Sequence, residues 1–332
     1  MKTSPALLTL DEVAAAQARI SGGIRRTVCR RLADQPDLAG MEIWLKREDL
    51  QRTRSFKERG ALNALLCLNA EQRLRGIVAA SAGNHALGLA YQGSRLGVRT
   101  TVVMPLGAPA VKVGRCRGLG AEVLLHGANF DAAQANASGL ALESGRTLVH
   151  PFDDLAVIAG QGTMGLEMIE AVPDLDIVVL PVGGGGLLAG VATVVKACRP
   201  AVRVIAVQTE NTCAFSAARA NGGPAEVSTG RTLADGLAVA RVGEIAFAIS
   251  SRFVDQVVTV SESEIAGAIS LLARNGIVAE GAGASALAAV LGGEVRGGMA
   301  VVPVSGGNID PRVHERAVID GAAPRRRASR AA

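Results

Sequence analysis

Residues 177–197 read IVVLPVGGGGLLAGVATVVKA, and the order of residue types within them decides the fold class. The 19 residues 177–195 carry no charge, a length nominally sufficient to cross a bilayer. Pro181, Gly183 to Gly186 and Gly190 interrupt the run, and a lipid-facing helix would not survive them. The stretch reads instead as a β-branched strand at 177–181, a loop of four glycines and a helix at 188–197. A backbone without Cβ atoms can turn its N–H groups toward one point, and the helix N-terminus behind it favours negative charge. No GK[ST] follows, which excludes the Walker loop of nucleoside triphosphatases. The other reading is a tight turn without a ligand, but four successive glycines cost more conformational entropy than an ordinary turn. Gly183, Gly184, Gly185 and Gly186 therefore point to a phosphate group.

The same alternation continues on both sides. Short apolar runs at 42–46, 77–80, 100–104, 122–125, 203–207, 256–260 and 300–304 read as strands, and periodic Ala/Leu segments such as 61–68, 85–96 and 262–274 read as helices. Alternating β and α with short connections predicts an α/β fold, an open and mostly parallel sheet with helices on both faces. Such sheets bind ligands at the carboxyl ends of their strands. Three helix starts carry the capping-box pattern, at Thr9/Glu12, Ser55/Glu58 and Ser261/Glu264. The C-terminal 321–332, ending APRRRASRAA, reads as a disordered basic tail.

Composition narrows the function class. The 332 residues are 49% hydrophobic and 20% charged, enough for two lobes and unlike a disordered chain. Aromatics are only 2%, so the interior is aliphatic and base-stacking platforms for nucleic acid are absent. The net charge of +5 is largely that of Arg325, Arg326, Arg327 and Arg330, and so implies no nucleic-acid partner. Five cysteines without CxxC spacing suit a reducing cytoplasm rather than disulfides. The start, MKTSPALLTLDEV, has no apolar signal core. No membrane partner is expected.

Three further segments can carry chemistry. In QRTRSFKERG (51–60), Lys57 falls in the first turn of a helix, where the partial positive charge disfavours an ammonium and favours the nucleophilic amine. By itself the segment reads as well as a surface lysine lying along its helix. SAGNH (81–85) is a small polar loop at a helix start, suited to a carboxylate or merely a capped turn. In VSGGNI (304–309), Ser305 is either a partner for a ring nitrogen or a turn serine. GAGASA (281–286) matches a dinucleotide fingerprint, but the next strand ends in Ser305 where an acid is needed. His85, His126, His150 and His314 show no metal-ligand spacing.

Taken together, a lysine nucleophile, a phosphate cradle, a carboxylate loop and a ring-nitrogen partner are the parts of a pyridoxal-phosphate site. From about Ile20 to Ile309 the chain resembles the serine/threonine dehydratases (threonine ammonia-lyases) of the fold-type-II pyridoxal-phosphate enzymes, relatives of serine racemase. The resemblance is carried by LKREDLQRTRSFKERGA, SAGNHALGLA, VMPLGAP, HPFDDLAVIAGQGT, PVGGGGLLAG, ADGLAV, EGAGA and SGGNID. It implies a tryptophan-synthase-β-like fold of two open, twisted, parallel-type sheets flanked by helices. Residues 1–75 and 152–320 would form a large cofactor domain, and 76–151 a small mobile one. It implies Lys57 as the catalytic Schiff-base lysine, Phe56 against the cofactor ring and Gly183–Gly186 as the phosphate cup. Asn84 would meet the ring hydroxyl and Ser305 the pyridine nitrogen, while Ser81, Asn84 and His85 would hold the substrate carboxylate. The implied reaction converts L-threonine or L-serine to a 2-oxo acid and ammonia in a cytoplasmic homo-oligomer, a dimer or tetramer. The alternatives are dehydration of another β-hydroxy amino acid (3-hydroxyaspartate or a hydroxyectoine-derived one), serine racemisation, or non-catalytic amino-acid binding.

The chain departs from the family pattern in four places. Arg54 stands where Gly or Ala is usual, and Thr27-Val28 replaces Thr-Pro. Ala82 replaces the racemase's second base. Gln208 and Ala214 replace the acids that bind a divalent cation in some relatives, removing charged oxygen ligands that a hard cation would want. Treatment with a chelator is accordingly expected to leave most of the activity intact. A large loss that magnesium restores would show a metal site built from other residues.

Overall fold

The computed structural model describes residues 8–33 and 40–322. In chain order its strands are β1 (Cys29–Arg31), β2 (Met41–Arg47), β3 (Ile77–Ala80), β4 (Thr100–Met104), β5 (Glu122–Leu125), β6 (Thr147–Leu148), β7 (Ile177–Pro181), β8 (Arg203–Thr209), β9 (Gln256–Val260) and β10 (Gly298–Val304). They form a six-stranded sheet, β1-β2-β10-β7-β8-β9, and a four-stranded sheet, β5-β4-β3-β6. Every pairing is parallel except β1 with β2. β1 escapes a pattern reading because Cys29-Arg30-Arg31 is short and charged, and β6 because it has two residues.

Parallel strands covered on both faces must be apolar at every position, and β3, β4 and β7 are buried throughout. Alternate residues of the larger sheet face opposite ways. Leu45, Val179, Ile205, Val207 and Val302 pack with Ile265, Ile269, Leu287 and Val290, whereas Val178, Leu180, Val204 and Val301 pack with Met164, Met168, Leu188 and Val191. The helices supplying those partners are Glu262–Arg274 and Gly281–Leu291 on one face, and Leu155–Ala171 and Gly186–Cys198 on the other. The uncharged run at 177–195 is thus a strand and a separate helix. Among the described residues no helix is long and apolar enough to cross a membrane.

Both sheets reverse strand order partway across. β3, β4 and β5 follow one another outward, and β6 then lies on the other side of β3; likewise β7, β8 and β9 run outward, and β10 returns beside β7. The crevice outside the carboxyl ends at such a reversal is where open α/β sheets bind ligands. Here the segments leaving those ends are 81–85 after β3, 149–154 after β6, 182–186 after β7 and 305–308 after β10.

A cluster of four buried charges underlies the lysine segment. Arg59, fully buried in the helix Lys57–Cys67, lies between Glu48, directly after β2, and Glu167 of the helix Leu155–Ala171. Its Nε and Nη2 donate to Glu48 at 2.8 and 2.7 Å, its Nη1 and Nη2 to Glu167 at 2.8 Å each, and its Nη1 also to Thr163 Oγ1 at 3.1 Å. Lys46 Nζ donates to Glu167 and to Thr27 O, and Thr27 Oγ1 donates to Glu48. Burial pushes the Glu48 carboxyl up, but the Arg59 guanidinium outweighs it and the net shift is downward. Two cations and two carboxylates balance, as burial demands. The helices carrying Arg59 and Glu167 approach closely at Gly60 and Gly160, where a Cβ on Gly160 would lie 2.6 Å from Gly60 Cα.

Of the three expected capping boxes, those at Thr9/Glu12 and Ser261/Glu264 form. The one at Ser55/Glu58 does not. Phe56 occupies the N-cap without a side-chain bond, and Glu58 turns away to accept from Thr53 N, Thr53 Oγ1 and Gln92 Nε2. Glu58 is buried between two chain segments that satisfy it better than its own helix end. The helix Pro311–Gly321 carries order through Gly321, and the expected tail beyond Ala322 lies outside the described residues.

Glu167→Gln should strand Lys46 and Arg59 with one carboxylate between them, and unpairing a buried ion of this kind costs about 3–5 kcal/mol. Urea unfolding of the variant measures that loss. A change under about 1 kcal/mol would show that the cluster is not held by its charges.

Candidate active site

Lys57 opens its helix, its side chain is partly buried, and its amine donates to Pro151 O at 2.7 Å. Desolvation pushes its pKa down to about 8, so the neutral amine is populated near neutral pH. Neighbouring imidazoles add no charge. Burial pushes His85 down to about 3 and His150 down to about 4. The segment before the lysine is fastened to the end of β10. Ser55 bridges Gly306 in antiparallel fashion, Phe56 N donates to Ser305 O at 3.0 Å and Gly307 N to Arg54 O at 2.9 Å. Phe56 packs against the core of the larger sheet, its ring centroid 5.3 Å from Lys57 Nζ. Lys57, Phe56 and Ser305, about 250 positions apart along the chain, are thereby brought together. Arg54 is the one described non-glycine residue with positive φ, 60°, a conformation that costs glycine least. Its side chain is exposed in a surface depression with Arg25, Arg47 and Arg52 rather than in the crevice.

The Cβ direction of each loop glycine is occupied by a neighbouring segment. A Cβ on Gly183 would sit 3.0 Å from Leu237 Cα, and one on Gly184 2.2 Å from the Phe152 ring. A Cβ on Gly185, which has φ +95°, would meet Ala246; Gly186 begins the helix, and a Cβ there would lie 2.6 Å from Phe152 O. No side chain fits at 184, and only glycine adopts the turn at 185 without strain.

The segment HPFDD, 150–154, organises this wall. His150 Nδ1 accepts from Asp153 N at 2.9 Å and from Phe152 N at 3.4 Å. Pro151 O holds Lys57, and Phe152 packs on the glycine loop. Asp153 accepts from Glu244 N, Ile245 N and Ala246 N, capping a helix about 90 residues away. Asp154 caps the helix Leu155–Ala171. The motif is visible in the sequence, but its partners are remote, so none of these roles can be read there.

Loop 81–85 starts the helix Asn84–Leu96. Ser81 Oγ accepts from Gly83 N at 3.2 Å and Ala86 N at 3.3 Å, and its own proton remains available. His85 is buried, with Nε2 3.3 Å from Val149 O. A neutral imidazole donating there presents only a lone pair at Nδ1, which does not suit a carboxylate. Asn84 Nδ2 donates to Glu280 Oε1 at 2.6 Å, and Asn84 Oδ1 accepts from Asn308 Nδ2 at 2.8 Å. Ser305 Oγ donates to Ala282 O at 3.4 Å, near the limit of a hydrogen bond. Glu280 and Asn308 were not singled out by sequence reasoning; the EGAGA and SGGNID motifs contain them without indicating that they meet.

These residues fit pyridoxal phosphate. The glycine loop leaves room only for backbone at a helix N-terminus, as a phosphate needs. Ser55 Oγ and His85 Nδ1 are buried without a hydrogen-bond partner among the described residues. The amine of Lys57 is the nucleophile that an aldehyde requires.

Two outcomes follow from the geometry. An amine-selective reagent should modify Lys57 of the cofactor-free protein with a midpoint near pH 8, well below that of ordinary lysines; a midpoint above 10 refutes the desolvated setting. Gly184→Ala should abolish cofactor retention on gel filtration by driving a methyl into Phe152; retention at the wild-type level refutes the cradle.

Comparison with known proteins identifies the family. Residues 20–306 match the model of the pyridoxal-phosphate dependent enzyme family. The chain is 45% identical over 317 residues to an L-threonine ammonia-lyase of Thermotoga maritima, covering 95% of this chain and 79% of that protein. It is 44% identical over 311 residues to the catabolic L-threonine dehydratase TdcB of Escherichia coli K12, covering 91% and 94%. The solved serine racemase of Dictyostelium discoideum superposes with a TM-score of 0.85 at 37% identity, covering 92% of this chain and all of that one. With its lysine, glycine cradle and two facing sheet reversals in place, the chain belongs to the pyridoxal-phosphate dependent enzyme family.

Proposed function

We propose that this chain is an L-threonine ammonia-lyase that also accepts L-serine, eliminating water across Cα–Cβ, after which the released enamine tautomerises to an imine and takes up water to give a 2-oxo acid and ammonia. The observation that carries the reading is the desolvated Lys57 amine beside the glycine cradle, in a chain 44–45% identical to proteins named for that activity. Pyridoxal phosphate, when bound, supplies a conjugated ring that takes up the charge developing at Cα. Gly183–Gly186 and the N-terminus of their helix would hold its phosphate, Asn84 its ring oxygen and Ser305, a neutral hydroxyl rather than a carboxylate, its ring nitrogen.

Lys57 does the proton work. Its neutral amine removes the Cα proton from one face. The residue for the other face is Ala82, which is partly buried against the core of the smaller sheet and has no ionisable atom. Elimination needs one face, racemisation two. The substrate carboxylate is assigned to loop 81–85, through the Ser81 hydroxyl proton and the backbone N–H groups of Asn84 and His85, which have no intrahelical acceptor; the Asn84 side chain is left to the ring oxygen. This reading moves the expected contribution of His85 from its ring to its backbone. Residues 76–151 form the part that closes over substrate. The cytoplasmic location and homo-oligomer implied by the family belong to the same proposal.

A panel of L-threonine, L-serine and 3-hydroxyaspartate, read by 2-oxo acid formation and chiral chromatography, tests it. L-Threonine should be the best substrate, Lys57→Ala should lower its turnover by about 10³-fold, and L-serine should yield pyruvate with little D-serine. No 2-oxo acid from L-threonine, or D-serine accumulating as fast as pyruvate, overturns the assignment.

A further inference from the structure

We propose that Glu280 and Asn308 are positioning residues that lock the Asn84 side-chain amide in one rotation, leaving its nitrogen to serve the ring oxygen of pyridoxal phosphate. The inference rests on the reading of Asn84 as the ring-oxygen partner. A side-chain amide has an acceptor oxygen and a nitrogen with two donors, and a half-turn exchanges them. Only the nitrogen can donate to a ring oxygen; an inverted amide would set lone pair against lone pair.

The surroundings of Asn84 choose between the two. An ionised carboxylate only accepts, and Glu280 Oε1 lies 2.6 Å from Asn84 Nδ2. An amide nitrogen only donates, and Asn308 Nδ2 lies 2.8 Å from Asn84 Oδ1. The orientation of Asn308 is itself fixed. Its Nδ2 also donates to Thr53 O at 2.8 Å, its Oδ1 accepts from Arg115 Nη2 at 3.0 Å, and its backbone N donates to Glu280 Oε2 at 3.1 Å. With one N–H given to Glu280, Asn84 keeps exactly one more. The amide lies against Gly306, where a Cβ would be 2.3 Å from Glu280 Oε1 and 3.1 Å from Asn84 Nδ2. Gly306 follows Ser305, so the group that orients the ring-oxygen partner touches the residue beside the ring-nitrogen partner.

The contacts also join the two sheets. Asn84 follows β3 of the smaller sheet, whereas Glu280 and Asn308 border the larger one. The charged groups around Glu280 are Asp235 on the turn Asp235–Leu237, and Lys112 and Arg115 on the helix Ala110–Gly118, with Lys112 paired to Asp235 at 2.9 Å. Burial first, then Asp235, pushes the Glu280 carboxyl up to about 7. Near and below that pH a growing fraction carries a proton and can itself donate, so the selection of the Asn84 nitrogen weakens.

The test compares wild type, Asn84→Ala, Glu280→Gln, the double variant and Asn308→Ser. The readouts are the dissociation constant for pyridoxal phosphate, by fluorescence titration of the cofactor-free protein, and the visible band of the loaded protein against pH. Asn84→Ala and Glu280→Gln should each weaken cofactor binding about tenfold, or 1.4 kcal/mol, and move the band in the same direction. The double variant should be no worse than Asn84→Ala alone, because both remove one contact. A band change with a midpoint near pH 7 should be present in wild type and lost in Glu280→Gln. If Asn84→Ala shifts binding and band but Glu280→Gln shifts neither, the positioning role is refuted while the Asn84 reading stands. If Asn84→Ala shifts neither, that reading falls and the proposal with it. If the two effects multiply in the double variant, Glu280 acts independently of Asn84 and the proposal is overturned. Should Glu280→Gln fail to fold, Asn308→Ser must show the same shifts, and its wild-type behaviour would refute the pair.

Discussion

Arg59, fully buried, uses all five of its N–H donors on two carboxylates and a hydroxyl, and the position of the reactive lysine depends on that. A buried guanidinium is tolerable only where its partners are fixed. Those partners come from the end of β2 and from the helix Leu155–Ala171, with Lys46 closing the balance. Lys57 lies two residues from Arg59 on the same helix, so the geometry that satisfies the guanidinium also sets where the helix begins and where its first amine projects.

From that fixed point the crevice is assembled by segments that each serve two partners. Pro151 O takes the lysine while the adjacent Phe152 supports the glycine loop, and Asp153 reaches on to cap a further helix. The 305–307 strand end pairs with the lysine segment and carries Ser305, the proposed ring-nitrogen partner. A change in any of these alters at least two walls of the site, because the backbone between them has little slack. The two sheet reversals face each other across this crevice, which suits a ligand with a phosphate at one end and a reacting amino acid at the other.

The polar atoms around the crevice show the limits of motif reading. Ser55 looks like a helix cap from its spacing to Glu58, yet its buried hydroxyl has no hydrogen-bond partner among the described residues and Glu58 is claimed by Thr53 and Gln92. His85 looks like a carboxylate ligand, yet its ring is turned to Val149 O. In both cases a local pattern allows a bond that a distant segment, once folded against it, replaces with a better one.

The sequence by itself determined the α/β class, most strand positions, the lysine at a helix start and the glycine cradle. These follow from local chemistry: apolar runs that only a doubly covered strand tolerates, and glycines that only a close approach or a left-handed turn requires. It also carried the family, through motifs whose order survives any reading of their contacts. Tertiary structure alone decided the buried charge cluster, the enclosure of the glycine loop by Phe152, and the meeting of Asn84 with Glu280 and Asn308. Those depend on residues from about 30 to about 220 positions apart becoming neighbours. The strength of a charge or hydrogen bond depends on the water removed around it, and no stretch of sequence shows how dry its surroundings will be.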